Sequence, residues 1–233
     1  MIARLALATT TLVFSACMIE QTGPTQHDSS SIDLDKAERV NAEFRMGAGT
    51  LRLSPGSDKL MRADFSYNVV SWKPYVRYSS AAGTGHLTVE QPETGPHHMG
   101  GHTKYDWDIR LNRDVPMDIL AHFGAGEAHM DLGSLNLRSV EVNMGVGKLD
   151  MDLRGAPKRN YEVRIRGGVG EATVRVPSGV GVDGEAEGGI GDIHTEGLKR
   201  EGSRFFNDSY EHAKVNIHLD IRGGVGSIRV ISD

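Results

Sequence analysis

Cysteine occurs once in the 233 residues, at Cys17. A chain with one Cys closes no internal disulfide, so its stability must come from packing and backbone pairing. Aromatic residues make up 6 % of the chain. That scarcity leaves Val, Ile, Leu, Met and Ala to fill a narrow core. Positive charge is not in excess, since 26 Lys and Arg stand against 31 Asp and Glu for a formal net charge of −5. Nothing in that balance recruits nucleic acid. No internal apolar run reaches the ~20 residues of a membrane-spanning helix. Helical periodicity is missing as well, which leaves an all-β class. Glycine is what the chain has in plenty, with 29 residues against an average usage of about 7 %. No Gly-X-Y period accompanies it, so collagen is excluded and a turn-rich β protein fits.

The glycines fall into six short cassettes: Gly47-Ala48-Gly49, Gly124-Ala125-Gly126, Gly145-Val146-Gly147, Gly168-Val169-Gly170, Gly189-Ile190-Gly191 and Gly224-Val225-Gly226. Apolar residues keep one register around each. Before the last Gly they sit three, five and seven places back, as in Ala42, Phe44, Met46, or Ile119, Ala121, Phe123, or Val140, Val142, Met144. After it they sit two and four places on, as in Leu51 and Leu53, Ala128 and Met130, Leu149 and Met151, Ala172 and Val174, or Ile228 and Val230, with Thr195 breaking the row. Period-two alternation on both flanks predicts two half-buried strands per cassette. The parity changes at the last Gly, so both strands face inward only if the chain bends there, and glycine supplies the freedom to bend. Cassettes starting at 124, 145, 168 and 189 are 21, 23 and 21 residues apart, and the one at 224 lies 35 further on. Such a period marks stacked supersecondary units. The spacing predicts a β-solenoid with one cassette per coil; a meander of antiparallel hairpins with Gly-x-Gly tips is the other architecture the pattern allows.

Residues 1–16 carry one basic residue, Arg4, followed by an apolar stretch from Leu5 to Phe14 and then Ser15-Ala16-Cys17. This is the layout of a secretory signal peptide. Phe14 is bulky for ordinary cleavage, whereas a bacterial lipobox ending in Cys17 would lipidate that thiol and make it the new N-terminus. Residues 17–35 then read as the lipidated Cys and a polar, flexible tether. An N-terminal region over 36–114 holds the first cassette and an aromatic-rich insertion. There Met61, Ala63, Phe65 and Tyr67 alternate, as do Val76 and Tyr78, Leu87 and Val89, and Tyr105, Trp107, Ile109 and Leu111. A small antiparallel sheet covering one end of the stack is expected, since an end coil must be capped. The solenoid repeats proper occupy 115–233.

Two stretches resemble a known family. The run Trp107-Asp108-Ile109-Arg110-Leu111-Asn112-Arg113-Asp114-Val115-Pro116-Met117, continued by Gly124-Ala125-Gly126-Glu127, is similar to the toast-rack family of bacterial envelope proteins, as is Met46-Gly47-Ala48-Gly49-Thr50-Leu51-Arg52-Leu53. The ending Ile221-Arg222-Gly223-Gly224-Val225-Gly226-Ser227-Ile228-Arg229-Val230 resembles the C-terminal domain of LiaF-like, cell-wall-active-antibiotics response proteins. The resemblance implies a right-handed, single-stranded β-helix type of solenoid, of about six coils here, exposed at the cell envelope. Some relatives take part in sensing envelope stress. It carries no catalytic residue and no cofactor to this chain.

Stacking in sequence order would align outward side chains in columns: Glu127, Lys148, Glu171, Asp192; His129, Asp150, Thr173, His194, Arg229; and Asp131, Asp152, Arg175, Glu196. His129, Asp131, Asp150 and Asp152 have the ligand types to hold a divalent cation or a sugar; a solvated face that keeps the sheet soluble is the simpler reading. His97, His98 and His102, in a glycine-rich loop, are candidate metal ligands, although a loose loop is a poor pre-formed site. A phosphate-loop reading of Gly-x-Gly fails because a strand, not a helix N-terminus, follows each cassette. Asp150 and His129 are the one conceivable acid/base pair, with nothing to fix a nucleophile beside them. The expectation is therefore a non-catalytic lipoprotein, without cofactor, at the cell envelope: in the outer membrane or periplasm of a diderm cell, or on the surface of a monoderm one. Its partners would be the membrane through the lipid, and an envelope protein or surface glycan. A surface adhesin or glycan binder is the alternative, and a glycan-active enzyme a third.

Overall fold

The computed structural model describes residues 22–92 and 103–233. Its strands are β1 (Gln26–Ile32), β2 (Arg39–Pro55), β3 (Met61–Tyr67), β4 (Tyr75–Ala81), β5 (Thr84–Glu90), β6 (Tyr105–Leu111), β7 (Met117–Asp131), β8 (Leu137–Asp152), β9 (Tyr161–Val176), β10 (Gly181–Glu196), β11 (Lys199–Glu201), β12 (Arg204–Phe206) and β13 (Asn216–Ser232). Each of the six long strands contains one cassette: β2, β7, β8, β9, β10 and β13. They lie parallel and in register, cassette on cassette. The hairpin meander is thereby ruled out.

Chain length shows why the cassettes must bend. β7 has 15 residues, about 50 Å if straight at ~3.3 Å per residue. Residues 132–136 then connect it to β8, which begins beside the start of β7, with Met117 opposite Leu137. A link that short reaches less than about 20 Å, so each long strand has to fold back on itself. Burial follows the fold. Val140, Val142 and Met144 before the bend and Leu149 and Met151 after it are all buried, although their parity differs. Leu149 pairs with Ala172 and both face the core.

The bend is made at the last glycine, whose φ lies between +126° and +144° in all six cassettes. Space is as restrictive as φ. A Cβ on Gly147 would stand 1.9 Å from the carbonyl oxygen of Gly126, and one on Gly145 2.4 Å from that of Gly124. Backbone therefore rests directly on backbone along the whole bend.

Among the six long strands, spatial order departs from chain order at one place. β13 inserts between β9 and β10, giving β2-β7-β8-β9-β13-β10. Packing explains it. β13 buries Ile217, Leu219, Ile221, Ile228 and Val230, whereas the equivalent row of β10 reads Val182, Gly184, Ala186, Ile193 and Thr195. The more apolar strand takes the position covered on both sides, and the glycine-rich one goes to the end.

At the other end β5 runs parallel to the first half of β2 and β6 to its second half. Two separate strands there do what one bent strand does elsewhere. β4 pairs with β5, β3 with β6 and β1 with β3, all antiparallel, so the expected antiparallel sheet closes this end. Trp107, Tyr105, Phe65 and Trp72 fill it with edge-to-face contacts at 5.4–5.7 Å. Residues 26–32, read from composition as tether, form β1. Polarity misled there because β1 is held by its ladder and by side chains at an exposed edge: Ser29 Oγ donates to Asp64 at 2.7 Å, and Tyr67 Oη donates to Asp28.

The glycine stack generates a sharp expectation. Gly147→Ala should destabilise the protein by about 3 kcal/mol or more, from φ strain and overpacking together. Gly179→Ala, at a turn with no atom within 4 Å of the new Cβ, should stay within about 0.5 kcal/mol of wild type. Urea unfolding of both variants checks the contrast.

Candidate functional site

Two outward surfaces follow from the in-register stack. The first is the polar face of the second half-strands. Because β13 intervenes, the columns differ from those expected. They run Glu127–Lys148–Glu171–Ser227–Asp192, then Arg52–His129–Asp150–Thr173–Arg229–His194, then Asp131–Asp152–Arg175–Ile231–Glu196. Ser227 now parts Glu171 from Asp192, two carboxylates that sequence order would have set side by side.

His129, Asp131, Asp150 and Asp152 do come together, lining one shallow depression with Arg52 and Arg175. Cations already occupy the two carboxylates at its centre. Lys148 Nζ is 3.2 Å from Asp150, and His129 Nδ1 is 3.6 Å from the same oxygen. The other ring nitrogen of His129 is 3.3 Å from Glu127. Arg154 grips Asp152 at 2.6 Å and reaches Asp233 at 3.1 Å. Its guanidinium holds the Asp152 carboxyl below the usual carboxylate range. Among the described residues no group of three or more His, Cys, Asp or Glu is placed to hold a metal ion. The face is a lattice of ion pairs, mostly between residues two apart in the chain and with His129–Asp150 crossing between strands, each worth roughly 0–1 kcal/mol. Asp150 and His129, the conceivable acid/base pair, spend their contacts on one another, on Lys148 and on Glu127. Cys17, and with it the signal and lipidation reading, lies outside the described residues, as do His97, His98 and His102.

The second surface is one the sequence reading passed over. The middle residues of the cassettes form a ladder of their own: Ala48, Ala125, Val146, Val169, Val225, Ile190. They point out of the bend. Val146 is 53 % exposed, Val169 47 %, Val225 45 % and Ile190 72 %. Strands about 4.8 Å apart make these four β-branched side chains a continuous ridge of roughly 14 Å. Bare glycines flank it on both sides, so nothing screens it. Arg166 and Arg222 stand as neighbours in the next outward column. A signal for the ridge was present: the middle residue grows from Ala to Val and Ile toward the C-terminal cassettes.

Under the same bends the core changes. Met46, Phe123 and Met144 fill the inward position three residues before the last Gly, but Gly167, Gly223 and Gly188 occupy it in the other three passes. A pocket of about 30 Å³ results, lined by Met144, Ile165, Ile193 and Ile228 among others. It has room for little more than a water or two. A far larger groove, about 970 Å³, runs past Trp72, Tyr75, Gln91, His122, Phe123 and Asn143 near the aromatic end.

The architecture is thus an all-β stack of glycine-bent parallel strands with closed aromatic packing at one end. Comparison with known proteins gives that class its family. The N-terminal domain of toast_rack matches residues 21–175, and the C-terminal domain of LiaF, described as cell wall-active antibiotics response, matches residues 123–230. The chain belongs to the toast-rack family and has a LiaF-like C-terminal part. A crystal structure described as "a putative cell adhesion protein" from Clostridium sporogenes is 34 % identical with a TM-score of 0.88, over 90 % of this chain and 100 % of that one. One described as "a putative adhesin" from Bacteroides fragilis is 9 % identical with a TM-score of 0.24, over 88 % of this chain and 96 % of that one. No curated protein matches the chain.

The ion-pair lattice sets a pH dependence. Asp152 has a folded pKa below its unfolded value of ~3.9. Its stabilisation is therefore complete above about pH 4 and is lost as pH falls through the folded value. Asp152→Asn should cost no more than about 1 kcal/mol at pH 7, and the difference between wild type and variant should be smaller at about pH 3. Chemical unfolding at the two pH values measures the difference.

Proposed function

We propose that this protein is a non-catalytic binding module of the bacterial cell envelope, anchored by a lipid on Cys17, which engages another envelope protein along the cassette ridge. The observation that carries the reading is the ladder Val146–Val169–Val225–Ile190. Contiguous exposed aliphatic side chains on a rigid scaffold mark an interaction surface, and aliphatic ladders suit a protein partner better than a glycan. The envelope location is supported by the signal-like residues 1–16, by the LiaF-like C-terminal match and by the relative described as a putative cell adhesion protein. Within this reading the stack winds as a right-handed β-solenoid of about six coils, and its bends present the ridge at a constant pitch. A role in envelope stress sensing fits the LiaF-like match.

Adhesion through a surface glycan is the second reading. The broad groove favours it, because Tyr75 stands 56 % exposed beside Gln91, His122 and Asn143, an aromatic face with a polar rim. One experiment separates the two. A photo-crosslinking residue at Val169, in the native envelope, should capture a discrete protein that the same residue at Arg138, away from the ridge, does not. With the probe kept at 169, Val225→Glu with Ile190→Glu should abolish that capture. Glycan-array binding that survives the double substitution would move the function to the groove.

The anchor has a separate check. Cys17→Ser, or globomycin treatment, should release the protein from the membrane fraction, and unchanged retention would remove lipidation from the proposal.

A further inference from the structure

The outer edge of β10 is finished over one half and open over the other. On the first half, Asp183, Gly184 and Glu185 pair antiparallel with Phe206, Phe205 and Arg204 of β12, and the Ala186 N–H donates to the Ser203 carbonyl. Phe205 is fully buried over this end of the core, beside the buried Val182 and Ala186. From Glu187 to Glu196, β10 pairs with β13 on its inner side, and no backbone partner among the described residues meets its outer side. Ile193 and Thr195, which face inward there, are only half-buried. A side chain has moved onto this edge: Arg200 Nη1 donates to the Ile193 carbonyl at 2.7 Å, braced by its Nε on the Gly202 carbonyl at 2.8 Å.

The geometry points to a strand-acceptor site along Gly191–Glu196 that takes an extended segment alternating basic and aliphatic residues. Unpaired edges accept such segments through main-chain hydrogen bonds, with alternate side chains setting specificity. The specificity is legible in β12. This strand places Arg204 opposite Glu185 on the outward face and Phe205 opposite Gly184 on the inward one. The open half asks for the same pattern. Outward it shows Asp192, His194 and Glu196, and the β13 neighbours of the two carboxylates are the uncharged Ser227 and Ile231. Inward it offers Ile193 beside the small apolar pocket under the bend. Arg200 already answers the demand for a cationic donor at one carbonyl. A second copy of this edge is a poor occupant, because antiparallel self-pairing about His194 sets Asp192 against Glu196, and like charges opposite one another destabilise a sheet.

The site lies on the end of the stack, adjoining the ridge only at Ile190, and does not rest on the function proposed above. The test uses a fluorescent, end-blocked peptide of sequence Arg-Val-Arg-Val-Arg-Val added to the full chain. Saturable binding is expected, with slowed amide exchange confined to 191–196 and affinity at least ten-fold weaker for the D192K/E196K variant. A peptide with Glu in place of Arg, or one N-methylated at alternate backbone positions, should fail to bind. Equal affinity for the N-methylated peptide would mean adsorption without strand pairing and would overturn the proposal, as would protection elsewhere in the chain. Sedimentation showing a dimer that D192K/E196K abolishes would give the edge to a second copy and overturn it too.

Discussion

Every feature of this molecule depends on glycine backbone lying on glycine backbone. At each bend a carbonyl oxygen of one pass occupies the place where the next pass would carry a Cβ, at 1.7–2.5 Å from that hypothetical atom in all the stacked cassettes beyond the first. A side chain at either glycine would push adjacent passes beyond ladder distance. Positive φ at the second glycine alone would not demand both glycines; the close stacking does. Once the bends are in register, the rest of each strand is in register, and the core rows and outward columns follow without further instruction.

A stack of identical passes has two ends, and the chain treats them differently. The N-terminal end splits one pass into β5 and β6 and adds antiparallel strands, concentrating the scarce aromatic residues where the core needs a broad lid. The C-terminal end is built from the least apolar pass and a three-residue capping strand, β12. It is covered over one half only. The polar outward face is neutralised by local ion pairs, and the bends carry a contiguous row of exposed aliphatic side chains. Rigidity of the stack is what makes such a surface useful, because the ridge and the open edge are presented with no rearrangement of the backbone.

Legibility varied with how local each cause was. The bent strands, their parity change and their inward residues could be read directly, because period-two alternation and the glycine pairs are properties of consecutive residues. The family could be read from Trp107–Met117 and from the C-terminal Ile221–Val230. The meeting of His129, Asp150 and Asp152 was legible from equal offsets, but not that Lys148 and Arg154 neutralise them, since Arg154 reaches its carboxylate from beyond the strand end. The cassette ridge is not legible in any one cassette, because a single residue between two glycines has no alternating neighbours to show which way it faces. β1 was misread because seven polar residues give no burial signal, and its pairing with β3 is decided by partners some 35 residues away.

The sequence by itself determined that each pass is a strand, a glycine bend and a strand, with a defined inner and outer face, because those are consequences of backbone freedom and side-chain alternation within about fifteen neighbouring residues. Only the tertiary structure decided the order of the passes. β13 and β10 carry the same cassette and would each fit beside β9; what separates them is which one, once placed there, buries more apolar surface against two neighbours instead of one. That comparison involves strands far apart in the chain, so no window of sequence contains it, and with it go the true charge columns and the half-open edge at the end of the stack.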